Sequence, residues 1–322
     1  MSHPSEFTIR KVAVVGTGVI GSSWTTLFLA KGYQVVVSDP APGAEEKLSQ
    51  YIESEWPRIE QIGLAEGASP RNYEFVEDIT QHLGDVDFVQ ENGPERPDFK
   101  TKLIANIDAH LPKHAVIASS SSGIPSSQFI SECKVDPSRV LIGHPFNPPH
   151  LIPLVEIVPH PGTSGAAVRQ AEAFYKALGK APVLLKKEAP GFVANRLQAA
   201  LLAEAYSLVS RGVASPEDVD TAVTTGPGLR WALAGPYMTN VLGGGGGKDG
   251  FDHFVQHLGP AVRGWKEDMD ANKFSFEEDE TKRLQEQVTP WVETKEPEKV
   301  RQEMGDALIE LLQTKSSRSS LA

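Results

Sequence analysis

The sequence predicts an α/β fold, a doubly wound parallel sheet followed by an all-helical C-terminal part. Three observations predict it: short apolar runs alternate with helix-length segments, a glycine-rich turn joins the first run to the first helix, and long helical spacing takes over after residue 188. Residues 12–15 are the first apolar run, and Gly16-Thr17-Gly18-Val19-Ile20-Gly21 then opens a helix-compatible stretch to about Lys31. Residues 35–37 are the second run, ending at Asp39. Runs at 86–89, 116–118, 140–142, 154–158 and 183–185 continue the series. Several are separated by enough chain for a crossover helix, which calls for parallel pairing. From Gly191, the residues Phe192, Leu197, Leu201, Leu202, Ala205, Leu208 and Val209 follow helical spacing and stop at Arg211-Gly212, a glycine helix end. Ser215-Pro216-Glu217-Asp218 starts another helix, with serine as cap, proline in the first turn and acids near the positive end. Residues 300–312 read as helix and 314–322 as a frayed end. Two domains follow, 1–188 and 189–322, without an internal repeat.

Composition narrows the function classes. Lys and Arg total 31 against 42 Asp and Glu, a formal charge of −11 with no long basic run. Nucleic acid and anionic membranes both need a cationic footprint, so neither is expected as a partner. Hydrophobic residues at 40% and charged residues at 23% suit a globular chain, and no apolar stretch is long enough for a bilayer span. Cys133 is the single cysteine, so an internal disulfide and a thiolate metal cluster are both excluded. Residues 1–6 are polar and lead straight into the first strand pattern, so no signal peptide is read, and the expected setting is cytoplasmic.

The glycine turn gains its meaning from context. It follows a strand, opens a helix, and has Asp39 at the end of the next strand, 23 residues beyond Gly16. That is the Rossmann-type dinucleotide fingerprint. Gly16 permits the tight turn, Gly18 lets a pyrophosphate approach the backbone, and Gly21 lets helix and strand pack closely. The loop, Val19 and Ile20 included, offers helix N-terminal N–H groups to the phosphates. Asp39 would accept the ribose hydroxyls. Residues 40–44 carry no Arg or Lys for a 2′-phosphate, which favours NAD over NADP.

The stretch Gly143-His144-Pro145-Phe146-Asn147-Pro148-Pro149-His150, followed by Leu154-Val155-Glu156, carries the chemistry. His144 follows a strand and Glu156 lies in the next. Adjacent pairing would set a carboxylate on one ring nitrogen and leave the other as a base for a hydroxyl proton. The same spacing also fits His144 capping a loop with Glu156 in solvent.

Six motifs occur in order: 16–21, Glu91-Asn92-Gly93-Pro94-Glu95, Ala118-Ser119-Ser120-Ser121-Ser122-Gly123, His144-Pro145-Phe146-Asn147-Pro148, Leu154-Val155-Glu156 and Pro190-Gly191-Phe192-Val193-Ala194-Asn195-Arg196. Together they resemble the L-3-hydroxyacyl-CoA dehydrogenase superfamily over almost the whole chain. The resemblance implies that His144 is the general base or acid with Glu156 as its partner. It implies that Ser122 and Asn195 hydrogen-bond the reacting oxygen, that Asn147 supports the site, and that Glu95 lies near the nicotinamide ribose. The serine run departs from the family pattern and makes Ser121 the competitor of Ser122. β-Hydroxyacid dehydrogenases place a catalytic lysine one helical turn before an asparagine; here Gly191 stands four residues before Asn195.

The substrate is read from charge. After the second strand come Glu45, Glu46, Glu53, Glu55, Glu60 and Glu66 against only Lys47 and Arg58, a poor surface for the phosphates of CoA, although an acidic face can equally be just solvated. The run Gly226-Pro227-Gly228-Leu229-Arg230-Trp231-Ala232-Leu233-Ala234-Gly235-Pro236 resembles the free-acid branch of the superfamily, which includes L-gulonate 3-dehydrogenase (lambda-crystallin) and L-carnitine dehydrogenase. Arg230 would hold a free carboxylate through its bidentate fork, or else serve as a structural ion pair. Trp231, Tyr237, Phe251 and Phe254 read as core of a helical domain, with a cage for trimethylammonium as the alternative. The expected function is therefore an NAD-dependent dehydrogenase for a small L-3-hydroxy acid, gulonate first, then carnitine, then an acyl-CoA. A crystallin-like structural NAD-binding protein is the rival of another class. The resemblance further implies a homodimer through the C-terminal domain. The glycine run 243–247, the His253/His257 pair, His110, His114 and Cys133 are read as structural, and no metal site is expected.

Overall fold

Alternation along the first strand sets up both faces of one sheet. The structure, a computed structural model, describes residues 9–321, so the polar start at 1–6 and the terminal Ala322 lie outside the described residues. In β1 (Lys11–Val15), Val12 and Val14 enter one buried cluster with Trp24, Phe28, Phe88 and Phe174, while Ala13 and Val15 enter another with Val89, Ile104, Ile117 and Phe129. A strand apolar on both sides must be covered on both sides, and helices cover it. The remaining strands are β2 (Gln34–Ser38), β3 (Tyr73–Phe75), β4 (Phe88–Glu91), β5 (Val116–Ser119), β6 (Val140–Pro145), β7 (Leu154–Pro159) and β8 (Ala181–Leu184). Their order is β3-β2-β1-β4-β5-β6-β7-β8. The first six follow the doubly wound dinucleotide-binding order. The helices between them are α1 (Val19–Ala30), α2 (Ala44–Ile62), α3 (Pro97–His110) and α4 (Gly165–Ala177).

Two details correct the sequence expectation. The sheet is mostly rather than wholly parallel, because β6 and β7 run antiparallel. The proline-rich connection between them is too short for the crossover that parallel strands need. β3 lacks an apolar run: it is a three-residue edge strand, and its pattern alone does not mark it.

Contacts divide the chain into units 1–196 and 197–322. Phe192 is buried in the sheet unit's core, and the backbone N–H groups of Val193 and Ala194 bond to Glu156, which keeps this stretch with the sheet although the sequence changes character near 188. The second unit holds most of α5 (Ala194–Ser210), then α6 (Pro216–Thr225), α7 (Pro227–Gly243), α8 (Gly250–Ala271), α9 (Glu278–Val292) and α10 (Pro297–Ser316). α10 continues past the expected end at 312. The Ser215 side chain caps α6 by accepting the N–H of Asp218 at 3.1 Å. α7 breaks at Gly235, where φ is 71° before Pro236. The core of this unit is small, centred on Val209, Phe274 and Leu284. The expectation of an aromatic core is corrected: Tyr237 is 76% exposed, Trp231 and Phe251 are exposed too, and Phe254 is half-buried. The second unit leaves these rings uncovered because its few buried positions lie elsewhere.

Candidate active site

The glycine turn is shaped by backbone crowding on one side and open space on the other. Gly16 has φ +91°, and a Cβ there would stand 2.8 Å from the carbonyl oxygen of Asn92. A Cβ on Gly21 would collide with the carbonyl of Gly16, whereas one on Gly18 would meet nothing. Gly18 precedes α1 without a side-chain cap, so the first-turn N–H groups stay available to an anion. Val19 and Ile20 form that first turn. Asp39 follows β2; its Oδ2 accepts Thr17 N at 2.7 Å and Thr17 Oγ1 at 3.0 Å, and its Oδ1 accepts Ala41 N at 2.8 Å. It thus braces the turn, and Oδ1, with one acceptor site used, keeps capacity for a ribose hydroxyl. An open cradle, free helix N–H groups and a carboxylate on the next strand together fit a dinucleotide.

A second cluster lies at the ends of β4 and β5. Glu91 and Lys100 are fully buried and paired at 2.9 Å, and Glu91 also accepts Ser119 Oγ at 2.5 Å and Gly93 N at 2.6 Å. Glu95 stands 3.7 Å from Lys100 and accepts Ser121 Oγ and Ser122 N, both at 2.7 Å. Ser121 is buried, and its hydroxyl is used between Glu95 and the Ile124 carbonyl. Ser122 is exposed, and Asn195 Nδ2 donates to its carbonyl at 2.6 Å. Sequence reading missed Thr17, Glu91, Lys100 and Ser119. The Glu91-to-Glu95 motif contained the signal, but a buried ion pair nine residues apart has no local pattern.

His144 and Glu156 face each other in the β6–β7 register. Nδ1 lies 2.8 Å from Glu156 Oε2, with both side chains buried, so the solvated alternative is removed. Glu156 Oε1 accepts Val193 N at 2.8 Å and Ala194 N at 3.0 Å. Burial works to raise the carboxyl pKa, but the bonds from His144, Ala194 and Val193 outweigh it and hold it below the usual range. An ionised partner keeps the proton on Nδ1 and leaves Nε2 as the basic nitrogen. The ring sits between Phe146 and Phe192, with centroids at 5.3 and 5.4 Å. Asn147 is exposed on the connection. Arg230 lies in the second unit on α7, exposed and without an ion pair among the described residues, and lines a groove of about 380 Å³ with Leu233, Thr239 and Leu242.

The remaining candidates stay outside this chemistry. Burial pushes the Cys133 thiol up to about 11, Asp108 adding to the effect against Arg139. Gly245, Gly246 and Gly247 all have positive φ, a chain reversal between α7 and α8. His110 Nδ1 bonds the Asn106 carbonyl, and His114 meets Asp87. Among the described residues no three His, Cys, Asp or Glu side chains gather to hold a metal. No described helix is long and apolar enough to cross a membrane.

Strand order, glycine cradle and a buried histidine–carboxylate pair define a dinucleotide-dependent dehydrogenase. Family models place it further: "3-hydroxyacyl-CoA dehydrogenase, NAD binding domain" matches residues 11–189 and the C-terminal domain of the same family matches 191–280. The chain belongs to the 3-hydroxyacyl-CoA dehydrogenase family and is an NAD-dependent dehydrogenase acting on a 3-hydroxyl group. It is 52% identical to a 3-hydroxyacyl-CoA dehydrogenase of Gibberella moniliformis over 98% of this chain and 97% of the relative. It is 48% identical to an L-carnitine dehydrogenase of Streptomyces coelicolor over 79% of each chain. Among solved structures it is similar to 5-formyl-3-hydroxy-2-methylpyridine 4-carboxylic acid 5-dehydrogenase, an NAD+-dependent dismutase, with a TM-score of 0.74 and 26% identity over 95% of this chain and 98% of that one.

Proposed function

We propose that this chain oxidises the 3-hydroxyl of a small free L-3-hydroxy acid, with L-carnitine as the first candidate. The observation that carries the reaction is the His144–Glu156 couple, buried, with Nδ1 hydrogen-bonded to the carboxylate and Nε2 turned to no protein partner among the described residues. His144 takes the hydroxyl proton at Nε2 and Glu156 stabilises the resulting imidazolium. The Ser122 hydroxyl and the Asn195 amide hold the reacting oxygen, and Asn147 supports the substrate side. Gly16, Gly18, Val19, Ile20, Gly21, Asp39 and Glu95 hold the cofactor. NAD held there would supply the hydride acceptor for the oxidation at C3. Arg230 holds the substrate carboxylate.

Carnitine moves ahead of gulonate on two grounds. Relatives named L-carnitine dehydrogenase are 43–48% identical over 79–82% of this chain. The second unit also leaves Trp231 and the Tyr237–Phe251 ring pair, 6.0 Å apart, exposed, and such faces attract a quaternary ammonium. The name of the Gibberella moniliformis relative supports a CoA ester instead, against which the acids of α2 count. Exposed apolar side chains on α7, among them Leu229, Met238 and Leu242, support a homodimer through the helical domain. One cysteine and no described apolar span suit a cytoplasmic setting. The test is NADH formation with L-carnitine, L-gulonate, L-3-hydroxybutyrate and L-3-hydroxybutyryl-CoA side by side. Preference for carnitine is expected. Preference for the CoA ester overturns the free-acid reading, and silence on all four with NAD still bound favours a crystallin-like role.

A further inference from the structure

The connection from Phe146 to Pro153 carries Asn147, yet it is poorly equipped to hold itself in place. Pro148, Pro149 and Pro153 lack backbone N–H groups, so three of its eight residues have no donor. Leu151 N and Ile152 N both turn back to the Pro148 carbonyl, at 3.0 and 2.9 Å. Apart from the backbone bond from Ala181 N to the Pro153 carbonyl at 2.8 Å, side chains must therefore tie the segment to the sheet unit. Lys180 does so, its Nζ donating to the carbonyls of Pro149 and Ile152.

The other tie is a second histidine–carboxylate pair that the reaction does not use. The His150 side chain is 1% exposed, with Nδ1 2.8 Å from Ser23 Oγ on α1 and Nε2 3.2 Å from Glu55 Oε2 on α2. The backbone N–H of His150 donates to the same Ser23 Oγ at 2.9 Å. Ser23 Oγ thus bridges the backbone and the ring of His150, while Glu55 faces the other ring nitrogen. The Nε2 contact is an ion-pair distance rather than an aligned hydrogen bond, since this nitrogen has no aligned acceptor among the described residues. Glu55 is held below the usual carboxylate range, first by His150 against the effect of burial, then by Arg58, whose Nη1 lies at 3.1 Å. The ring of Tyr51, also on α2, meets the imidazole edge-on at 6.2 Å.

We infer that His150 is a positioning residue, clamping the proline-rich connection to the two helices that frame the dinucleotide site. α1 begins at the glycine turn and α2 follows Asp39. His150 lies three residues beyond Asn147 and six beyond His144. A buried imidazole is costly unless its partners are in place, so the cluster specifies one arrangement of the connection. The role in catalysis rests on the reading of His144 and Asn147 given above; the structural clamp does not.

Amide hydrogen exchange of residues 145–152, NAD affinity and steady-state kinetics would be compared for the full chain, His150→Leu and Glu55→Gln. In His150→Leu, exchange in this segment should quicken about tenfold or more while the central strands keep their protection. NAD affinity should stay within about twofold, and KM for the hydroxy acid should rise about tenfold with a smaller change in kcat. Glu55→Gln should move the same readouts in the same direction by less. Unchanged exchange in both variants overturns the inference, and so does a uniform rise across the sheet with a lower melting temperature, which would make His150 mere packing. If His150→Leu does not fold, Glu55→Gln, at a less deeply buried side chain, decides by the same readouts. A parent enzyme that turns over no hydroxy acid defeats the substrate reading, whereas the exchange comparison still judges the clamp.

Discussion

The two units bury their chains in opposite ways. In the sheet unit, strands β1, β4 and β5 are buried along nearly their whole length, and polar groups inside, such as Glu91, Lys100, His144 and Glu156, are paired. In the helical unit most residues are exposed or half-buried, and large apolar side chains stand in the open on α7, α8 and α10. A parallel sheet covered on both faces closes its own core, whereas helices with apolar stripes need something to lie against. The difference teaches where precision resides: buried, paired polar groups are held by the self-sufficient unit, while the recognition and assembly proposed above would fall to the unit with surface to spare.

That comparison can be broken first at its strongest point. His144→Ala should cut turnover by about a thousandfold, within the range for loss of a general base, with NAD affinity nearly unchanged in a binding titration. Loss of NAD binding would mean that the histidine holds the fold rather than the reaction. In the helical unit, Leu242, which is exposed on α7, tests the uncovered surface. Leu242→Glu should weaken self-association by about thirtyfold or more, seen as a dimer-to-monomer shift in sedimentation. A monomeric parent protein would end the assembly reading.

A smaller effect separates recognition from chemistry. Arg230→Lys should raise KM about tenfold and leave kcat little altered, because an ammonium does not reproduce the bidentate fork. An unchanged KM would move the carboxylate anchor elsewhere.

The smallest expected effect is a pH dependence of stability. Burial, then the charge of Lys31, pushes Lys180 down to about 7, and its Nζ lies 5.3 Å from the Trp24 ring centre. An unfolded lysine titrates near about 10.4, so between about pH 7 and 10 the unfolded chain binds a proton that the folded chain has released. Stability from this group therefore rises with pH across that window. Thermal melts at pH 7 and 9 should differ by a few degrees more in the parent than in Lys180→Met, and equal differences would show that the lysine is not buried as described.

Much of the sheet unit was legible because its signals are local. The glycine turn, Asp39 and the apolar runs each depend on neighbours in sequence, and the free-standing Ser215 cap is read the same way. The antiparallel turn at β7 was not legible, since the proline-rich connection marks a stop without a direction. The aromatic residues of the helical unit misled for a related reason. Composition says that a ring prefers burial, but only packing decides which ring is covered.

By itself, then, the sequence determined the fold class and the glycine cradle and singled out His144 and Glu156 as candidates, because periodicity and short motifs are properties of adjacent residues; their pairing came from the structure. Tertiary structure alone decided that Ser121 is spent inside while Ser122 is exposed, that Lys100 reaches Glu91 and Glu95, and that His150 joins Ser23 to Glu55. These are meetings of side chains from separate elements, set by how the elements pack. No periodicity along the chain encodes them.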